Sequence, residues 1–186
     1  MRLGVVSDIH GQPQALARAL ELMGPIDRLV CLGDAINQTR FCNETVAMLR
    51  AQAALTIRGN HEDLFFAGGP TGADVDPGLA GWLAACPQRL DIALGGRRLT
   101  VVHSTPWPSG HAYVPGHHRD FHRFAVAGAD VVLYGHTHQP LVRWLGPVLV
   151  VNPGSVGEGR PTPQGFRRSC ALVDLAGPAA RIIELD

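Results

Sequence analysis

Residues 129–140 read ADVVLYGHTHQP. The apolar, β-branched run ending at Tyr134 predicts a buried strand. Gly135 lets the backbone turn tightly and approach a ligand closely, and His136 and His138 follow two residues apart. In extended backbone, side chains two residues apart leave on the same side. The two imidazoles are therefore expected to address one point, and two metal-capable rings at a strand end require partners elsewhere in the chain.

The arrangement recurs at four other apolar runs. LGVVS (3–7) leads into Asp8 and His10, LVCLG (29–33) into Asp34, ALTIRG (54–59) into Asn60 and His61, and RLTVV (98–102) into His103. In α/β sheets the ligand crevice lies beyond the carboxyl ends of the strands. The intervening segments fit that class. QPQALARALELMG (12–24) has Pro13 at a helix start, Leu16, Leu20 and Met23 on one face, and Gly24 as a stop. A second helix is expected over Glu44–Gln52, so the first part of the chain reads β-α-β-α-β with parallel pairing. From Ile92 the pattern changes to a hairpin turning at Gly95 and Gly96, followed by the apolar runs 130–135, 147–152, 169–177 and 180–185. These imply a second sheet. We expect one domain, residues 1–186, built as two sheets with helices outside.

Composition narrows the function classes. Hydrophobic residues make up 46% and charged residues 17%, with 22 Gly and 14 Pro, which indicates a loop-rich α/β chain able to bury a core. Lys plus Arg equals Asp plus Glu at 16 each, and no block of like charge is present to grip nucleic acid or an anionic membrane. MRLGVVSDIHG is too short an apolar run for a signal peptide or a membrane span. Cys31, Cys42, Cys86 and Cys170 are widely spaced, as reduced thiols of a cytoplasmic protein would be.

Carboxylate, imidazole and amide oxygen form a borderline-hard donor set suited to Mn, Fe, Co, Ni, Zn or Mg. Asp8, His10, Asp34, Asn60, His103, His136 and His138 are too many for one ion and divide over two if one carboxylate bridges. Two dications facing only two anionic side chains leave a positive centre, which attracts phosphate.

The ordered set Asp8-x-His10, Gly33-Asp34, Gly59-Asn60-His61-Glu62, His103 and Gly135-His136-Thr137-His138, followed by VNPGSVG from Val151, resembles the calcineurin-like metallophosphoesterases. The likeness is greatest to their small prokaryotic phosphodiesterase and phosphatase branch. It implies a four-layer α/β/β/α sandwich of two mixed sheets with a dinuclear metal site at strand ends. It further implies that Asp8, His10 and His138 hold the first ion, that Asp34 bridges, and that Asn60, His103 and His136 hold the second. The cofactors would be two divalent ions, manganese first, with Fe, Zn, Co, Ni or Mg as alternatives. His61 would face the substrate and protonate the leaving oxygen, while a water activated between the ions attacks phosphorus. Arg58 and Asn60 are the candidate substrate contacts, Arg58 through a fork of donors to a phosphate oxygen or, in the alternative, as an ion pair with Glu62. The substrate would be a small phosphodiester or phosphomonoester. Dinucleoside polyphosphates or phosphoproteins are alternatives, as is an idle scaffold of the same fold that binds a protein.

The chain also departs from the family pattern. The loop after Gly33-Asp34 reads AINQTRFCNE, with Gln38 and Arg40 as candidate substrate contacts, and Ser104 follows His103 where Gly is common. The remaining histidines, His111, His117, His118 and His122, fall in residues 109–124, read as a solvated loop that borders the site. Asn152, Gly154 and Ser155 are expected to form a turn that supports the two-histidine loop.

Overall fold

The computed structural model describes residues 1–68, 74–163 and 165–186 of the chain. It opens with β1 (Arg2–Val6), α1 (Pro13–Met23), β2 (Arg28–Cys31), α2 (Asn43–Ala51) and β3 (Leu55–Thr56). β1, β2 and β3 pair in parallel, with Leu3 opposite Arg28 and Val30 opposite Leu55, so the expected crossover units are present. α1 presents Leu16, Ala19 and Met23 to the sheet. It lies so close that a Cβ at Gly4 would stand 2.6 Å from Met23 Sδ, which is why β1 carries no side chain there.

Two short helices follow, α3 (Asn60–Ala67) and α4 (Pro77–Ala84). Asp76 caps α4 by accepting the N–H groups of Gly78 and Leu79 at 2.8 and 2.9 Å. The second sheet begins with β4 (Arg89–Leu94) and β5 (Arg97–Val102). Gly95 and Gly96, both at positive φ, close that hairpin as a two-residue turn of the primed kind. β6 (Val131–Leu133), β7 (Leu141–Leu145) and β8 (Val148–Asn152) complete it in the order β4-β5-β6-β8-β7, with β5, β6 and β8 parallel. A ribbon of β9 (Arg160–Thr162) and β10 (Gly165–Arg167) precedes β11 (Ser169–Asp174) and β12 (Ala179–Glu184).

β11 and β12 correct one sequence expectation. They do not extend the second sheet but return to the first, whose order is β12-β11-β1-β2-β3, with β11 antiparallel to β1. The open edge of β1 supplies the hydrogen bonds, and Cys170 and Leu172 on one face of β11 pack into the cluster formed by α1.

Three apolar layers hold the sandwich. Leu3, Val5, Val30, Leu32 and Ile57 of the first sheet meet Leu99, Val101, Val131, Leu133, Leu149 and Val151 of the second, all within 2% of full burial. On the far side of the first sheet Val6, Leu29 and Cys31 pack against Leu16, Ala19, Met23 and Leu49. The far side of the second sheet, Val102, Val132, Tyr134 and Val150, is covered by Val114, Phe121 and Phe124. That outer layer comes from an irregular segment with a 3₁₀ turn at Phe121–Phe124. The α/β class and the two mixed sheets thus hold. Among the described residues no helix is long and apolar enough to cross a membrane.

Candidate metal centre

The carboxyl ends of β1, β2 and β3 and those of β5 and β6 open on the same side of the sandwich, and all the sequence-predicted donors project there. Asp8, His10 and His138 bring one ligand atom each within 4.8 Å of one another, and so do Asp34, His103 and His136. Asp8 Oδ1 lies 3.3 Å from His138 Nε2, which lies 3.3 Å from His10 Nε2. In the other group Asp34 Oδ2 stands 3.3 Å and Asn60 Oδ1 3.0 Å from His103 Nε2. Asp34 therefore sits where both groups can reach it, because it also shares a group of the same spacing with His10 and His61.

The backbone achieves this convergence in an unexpected way. Residues 8–10 and 136–138 are not extended. Asp8, His10, Asp34, His136 and His138 have φ of 53°, 50°, 51°, 64° and 54°, the left-handed region, which costs an L residue about 1–2 kcal/mol. Alternation along a strand is thus replaced by repeated left-handed turns, and such strain persists only where surrounding bonds over-determine it. Those bonds are present. His10 N–H and Gly11 N–H donate to Asp34 O and Ala35 O at 2.9 Å, and Ser155 Oγ donates to Asp8 O at 2.8 Å. Asn152 Nδ2 donates to Gly135 O at 2.9 Å and to Thr137 Oγ1 at 3.1 Å, the support expected of that turn. Tyr113 O–H donates to Thr137 O at 2.6 Å. Glycines make the close approach feasible, since a Cβ on Gly33 would meet Gly59 N at 2.6 Å and one on Gly59 would collide with the Asp34 carboxylate.

Outer contacts set the imidazole tautomers. His103 Nδ1–H donates to Leu32 O at 2.8 Å and His136 Nε2–H to His111 O at 2.9 Å, which turns the other nitrogen of each ring toward the centre. His61 is the reverse case. Its Nδ1 accepts the Gln38 N–H at 3.1 Å, so the neutral ring carries its hydrogen on Nε2, 3.9 Å from Asp34 Oδ2. A protonated nitrogen cannot ligate a cation, and His61 is thereby set apart from the other donors despite its proximity.

Electrostatics tests whether divalent cations suit these residues. Burial opposes ionisation of Asp34 and Asp8, yet His103 holds the Asp34 carboxyl, and His138 the Asp8 carboxyl, below the usual carboxylate range. Burial likewise opposes a charge on His103, but Asp34 overrides it and lifts the ring to about 9. Burial together with the neighbouring His103 pushes His136 down to about 4. The metal-free site thus retains positive charge as protons on rings that face carboxylates. Asp8 Oδ1 and His10 Nδ1 are buried without a hydrogen-bond partner among the described residues. Buried carboxylates, ring lone pairs and an amide oxygen converging on two points fit divalent cations, and because imidazole ligands must shed protons, metal uptake should strengthen as pH rises.

Glu62 carries a role that sequence reading missed. It is fully buried, and its carboxylate accepts the N–H groups of Gly59, Asp34 and Ile36 at 2.7, 2.8 and 3.1 Å, tying the loops after β2 and β3 together. Burial and the nearby Asp34 carboxylate lift its pKa to about 7. Replacing Glu62 with Ala would orphan three buried donors, and we expect a loss of about 3–5 kcal/mol in chemical denaturation of the metal-free protein. Destabilisation below about 1 kcal/mol would contradict that role.

Two other expectations are corrected, the pairing of Arg58 with Glu62 and the solvated place of His111. Arg58 does not pair with Glu62; its Nε lies 3.7 Å from Asp63 Oδ1 and faces a cleft lined also by Gln88, His103, Trp107 and His111. Gln38 contributes its backbone N–H to His61, and the backbone N–H of Arg40 closes a turn onto Asn37 O at 3.1 Å. Within residues 109–124, His117 is exposed and His118 and His122 make local bonds, as a solvated loop would. His111 departs from that picture, for its carbonyl orients His136 and its Nε2 lies 3.4 Å from Asp63 Oδ2.

Comparison with known proteins agrees with this geometry. Residues 1–177 match the family model described as the calcineurin-like phosphoesterase superfamily domain. The chain is 29% identical over 171 residues to phosphodiesterase YfcE of Escherichia coli K12, spanning 89% of this chain and 86% of that protein. The crystal structure of the E. coli Yfce phosphoesterase superposes with a TM-score of 0.59 at 25% identity, covering 94% and 89% of the two chains. A metallophosphoesterase from Sphaerobacter thermophilus shares the fold more fully, with a TM-score of 0.77, 20% identity, and coverage of 100% and 89%. Vps29 of Entamoeba histolytica also shares it, at TM-score 0.59 and 17% identity over the whole of both chains.

Proposed function

The chain belongs to the calcineurin-like phosphoesterase superfamily, and on that footing we propose that it hydrolyses phosphodiesters and phosphomonoesters at a centre of two divalent ions. The observation that carries this reading is the convergence of Asp8, His10 and His138 beside Asp34, His103 and His136. Asp8, His10 and His138 would hold one ion, Asn60, His103 and His136 the other, and Asp34 both. Manganese is the first choice for this donor set, with Fe, Zn, Co, Ni or Mg as alternatives. Two such ions activate water and neutralise the phosphate oxygens.

The protein's own groups supply the rest. Asp34 is oriented by the His61 N–H on Oδ1 at 2.9 Å and by Glu62 on its own N–H. His61 presents Nε2–H toward the substrate; once Nδ1 takes up a proton and releases the Gln38 N–H, the imidazolium gives its Nε2 proton to the departing ester oxygen and returns to the neutral ring. Arg58, whose buried Nε faces Asp63 Oδ1 at 3.7 Å, lines the cleft beside His103 and offers the remaining donors of its guanidinium to the substrate. We further propose that residues 1–186 act as a single domain in the cytoplasm, where four free thiols are stable. Balanced charge argues against a nucleic-acid partner. An idle protein-binding scaffold is disfavoured, because the donors, their orienting bonds and His61 are all present.

The test is direct. Protein stripped with chelator and reloaded with Mn²⁺ is expected to bind two ions per chain by elemental analysis and to hydrolyse bis-p-nitrophenyl phosphate faster than p-nitrophenyl phosphate. Reloaded protein that hydrolyses neither ester would refute the reading.

A further inference from the structure

Among the described residues, a groove distinct from the cleft beside His103 also opens on the candidate centre. This groove, about 380 Å³, has His136 and His138 in its lining, so anything lodged there is adjacent to a phosphate at the centre. Its walls include Tyr113, 52% exposed, and Phe166 of β10, 69% exposed. The Tyr113 ring is pinned by its hydroxyl bond to Thr137 O and stands edge-on to His136 at 5.8 Å between centroids. Two large, exposed aromatic side chains thus border one concavity, one of them tied by its hydroxyl, and exposed aromatic rings are what flat ring systems stack on.

Charge narrows the occupant. Glu158 Oε2 stands 3.9 Å from both His10 Nε2 and His138 Nδ1, at the junction of groove and centre. Its carboxylate repels a second anionic group beside the phosphate. Arg160, the cation of this groove, lies 3.4 Å from Glu184 and is already engaged. The groove therefore suits an uncharged arm rather than a further phosphate. His61 is not among the groove's lining residues, so the arm seated here is the one phosphorus keeps, not the one that departs.

Resting on the phosphoesterase reading above, we propose that this groove is a subsite for a flat aromatic ring on the retained arm of a phosphodiester, stacked between Tyr113 and Phe166. The ring is a nucleobase or a simple aryl group, and the experiment separates the two. Three diesters share the p-nitrophenolate leaving group and differ in the retained arm: p-nitrophenyl thymidylate, p-nitrophenyl phenyl phosphate and p-nitrophenyl methyl phosphate. At least one ring-bearing ester is expected to show a KM about tenfold below that of the methyl ester, the size of one base-on-aromatic stack. Preference for thymidylate alone identifies a nucleobase, and equal preference for the phenyl ester identifies any flat ring. In Phe166→Ala the ratio of ring to methyl KM should move toward one, and Phe166→Trp should restore it. A ratio near one in the native protein, or a ratio unchanged in Phe166→Ala, overturns the subsite and leaves the phosphoesterase reading standing. Failure to hydrolyse any of the three overturns both.

Discussion

Asp34→Asn is expected to lower kcat/KM on bis-p-nitrophenyl phosphate by about 10³-fold or more, equivalent to about 4 kcal/mol of transition-state stabilisation. The substitution keeps the shape of the side chain and the amide oxygen that can accept the His61 N–H at Oδ1. It removes the charge that two cations would share and that lifts His103 to about 9. The metal-free fold should be weakened but not lost: the substitution removes the buried partner of His103, but burial then lets that ring shed its proton at neutral pH rather than remain an unpaired charge. Elemental analysis should therefore find fewer than two ions per chain in a protein that still folds without metal, with a denaturation midpoint below the parent's. A variant that keeps both ions and full activity would remove Asp34 from the centre. A variant that unfolds without metal would show instead that the loss was structural.

The donors of this centre were legible in the sequence because each follows an apolar run, and burial forces polar residues at strand ends to have partners. The way they converge was not. Spacing of two suggested strand alternation for Asp8 with His10 and for His136 with His138, whereas the chain uses left-handed turns at each of those residues. Nothing in a single residue type announces that conformation for Asp or His; it depends on bonds such as that from Ser155 Oγ to Asp8 O, across 147 positions of sequence. The same reason hid Glu62, His111 and Tyr113, whose contributions run through backbone groups of distant loops. β7 and the ribbon of β9 and β10 escaped notice for a different cause. They are short, carry Arg and Pro, and leave residues such as Trp144 and Phe166 exposed, so burial writes no clear alternation into them. β11 and β12 were legible as strands but not as members of the first sheet, since pairing partners are chosen by topology rather than by local pattern.

His61→Asn should separate chemistry from metal binding. The native ring has its hydrogen on Nε2 because Gln38 N–H occupies Nδ1 at 3.1 Å, and it is held edge-on against His10 at 4.5 Å between centroids. That geometry places the Nε2–H donor 3.9 Å from Asp34 Oδ2, and the ring becomes the acid when Nδ1 exchanges the Gln38 N–H for a proton, so that the imidazolium can surrender the Nε2 proton to a departing ester oxygen. A general acid contributes in proportion to the basicity of the oxygen it protonates, about 10²- to 10⁴-fold for a poor leaving group. For a diester that must expel an alkoxide, His61→Asn is therefore expected to reduce kcat by about 10²-fold or more. For p-nitrophenolate, a stable anion that leaves without a proton, the loss should be far smaller, so that rates in the variant depend more steeply on the leaving group. Two ions per chain should be retained, because a ring that keeps its hydrogen on the inward nitrogen is not a ligand. Equal losses with both leaving groups would remove the proton-donor role. Equal losses accompanied by a missing ion would mean that His61 changes tautomer and joins His10 and Asp34 in holding a cation, the one alternative their mutual spacing allows.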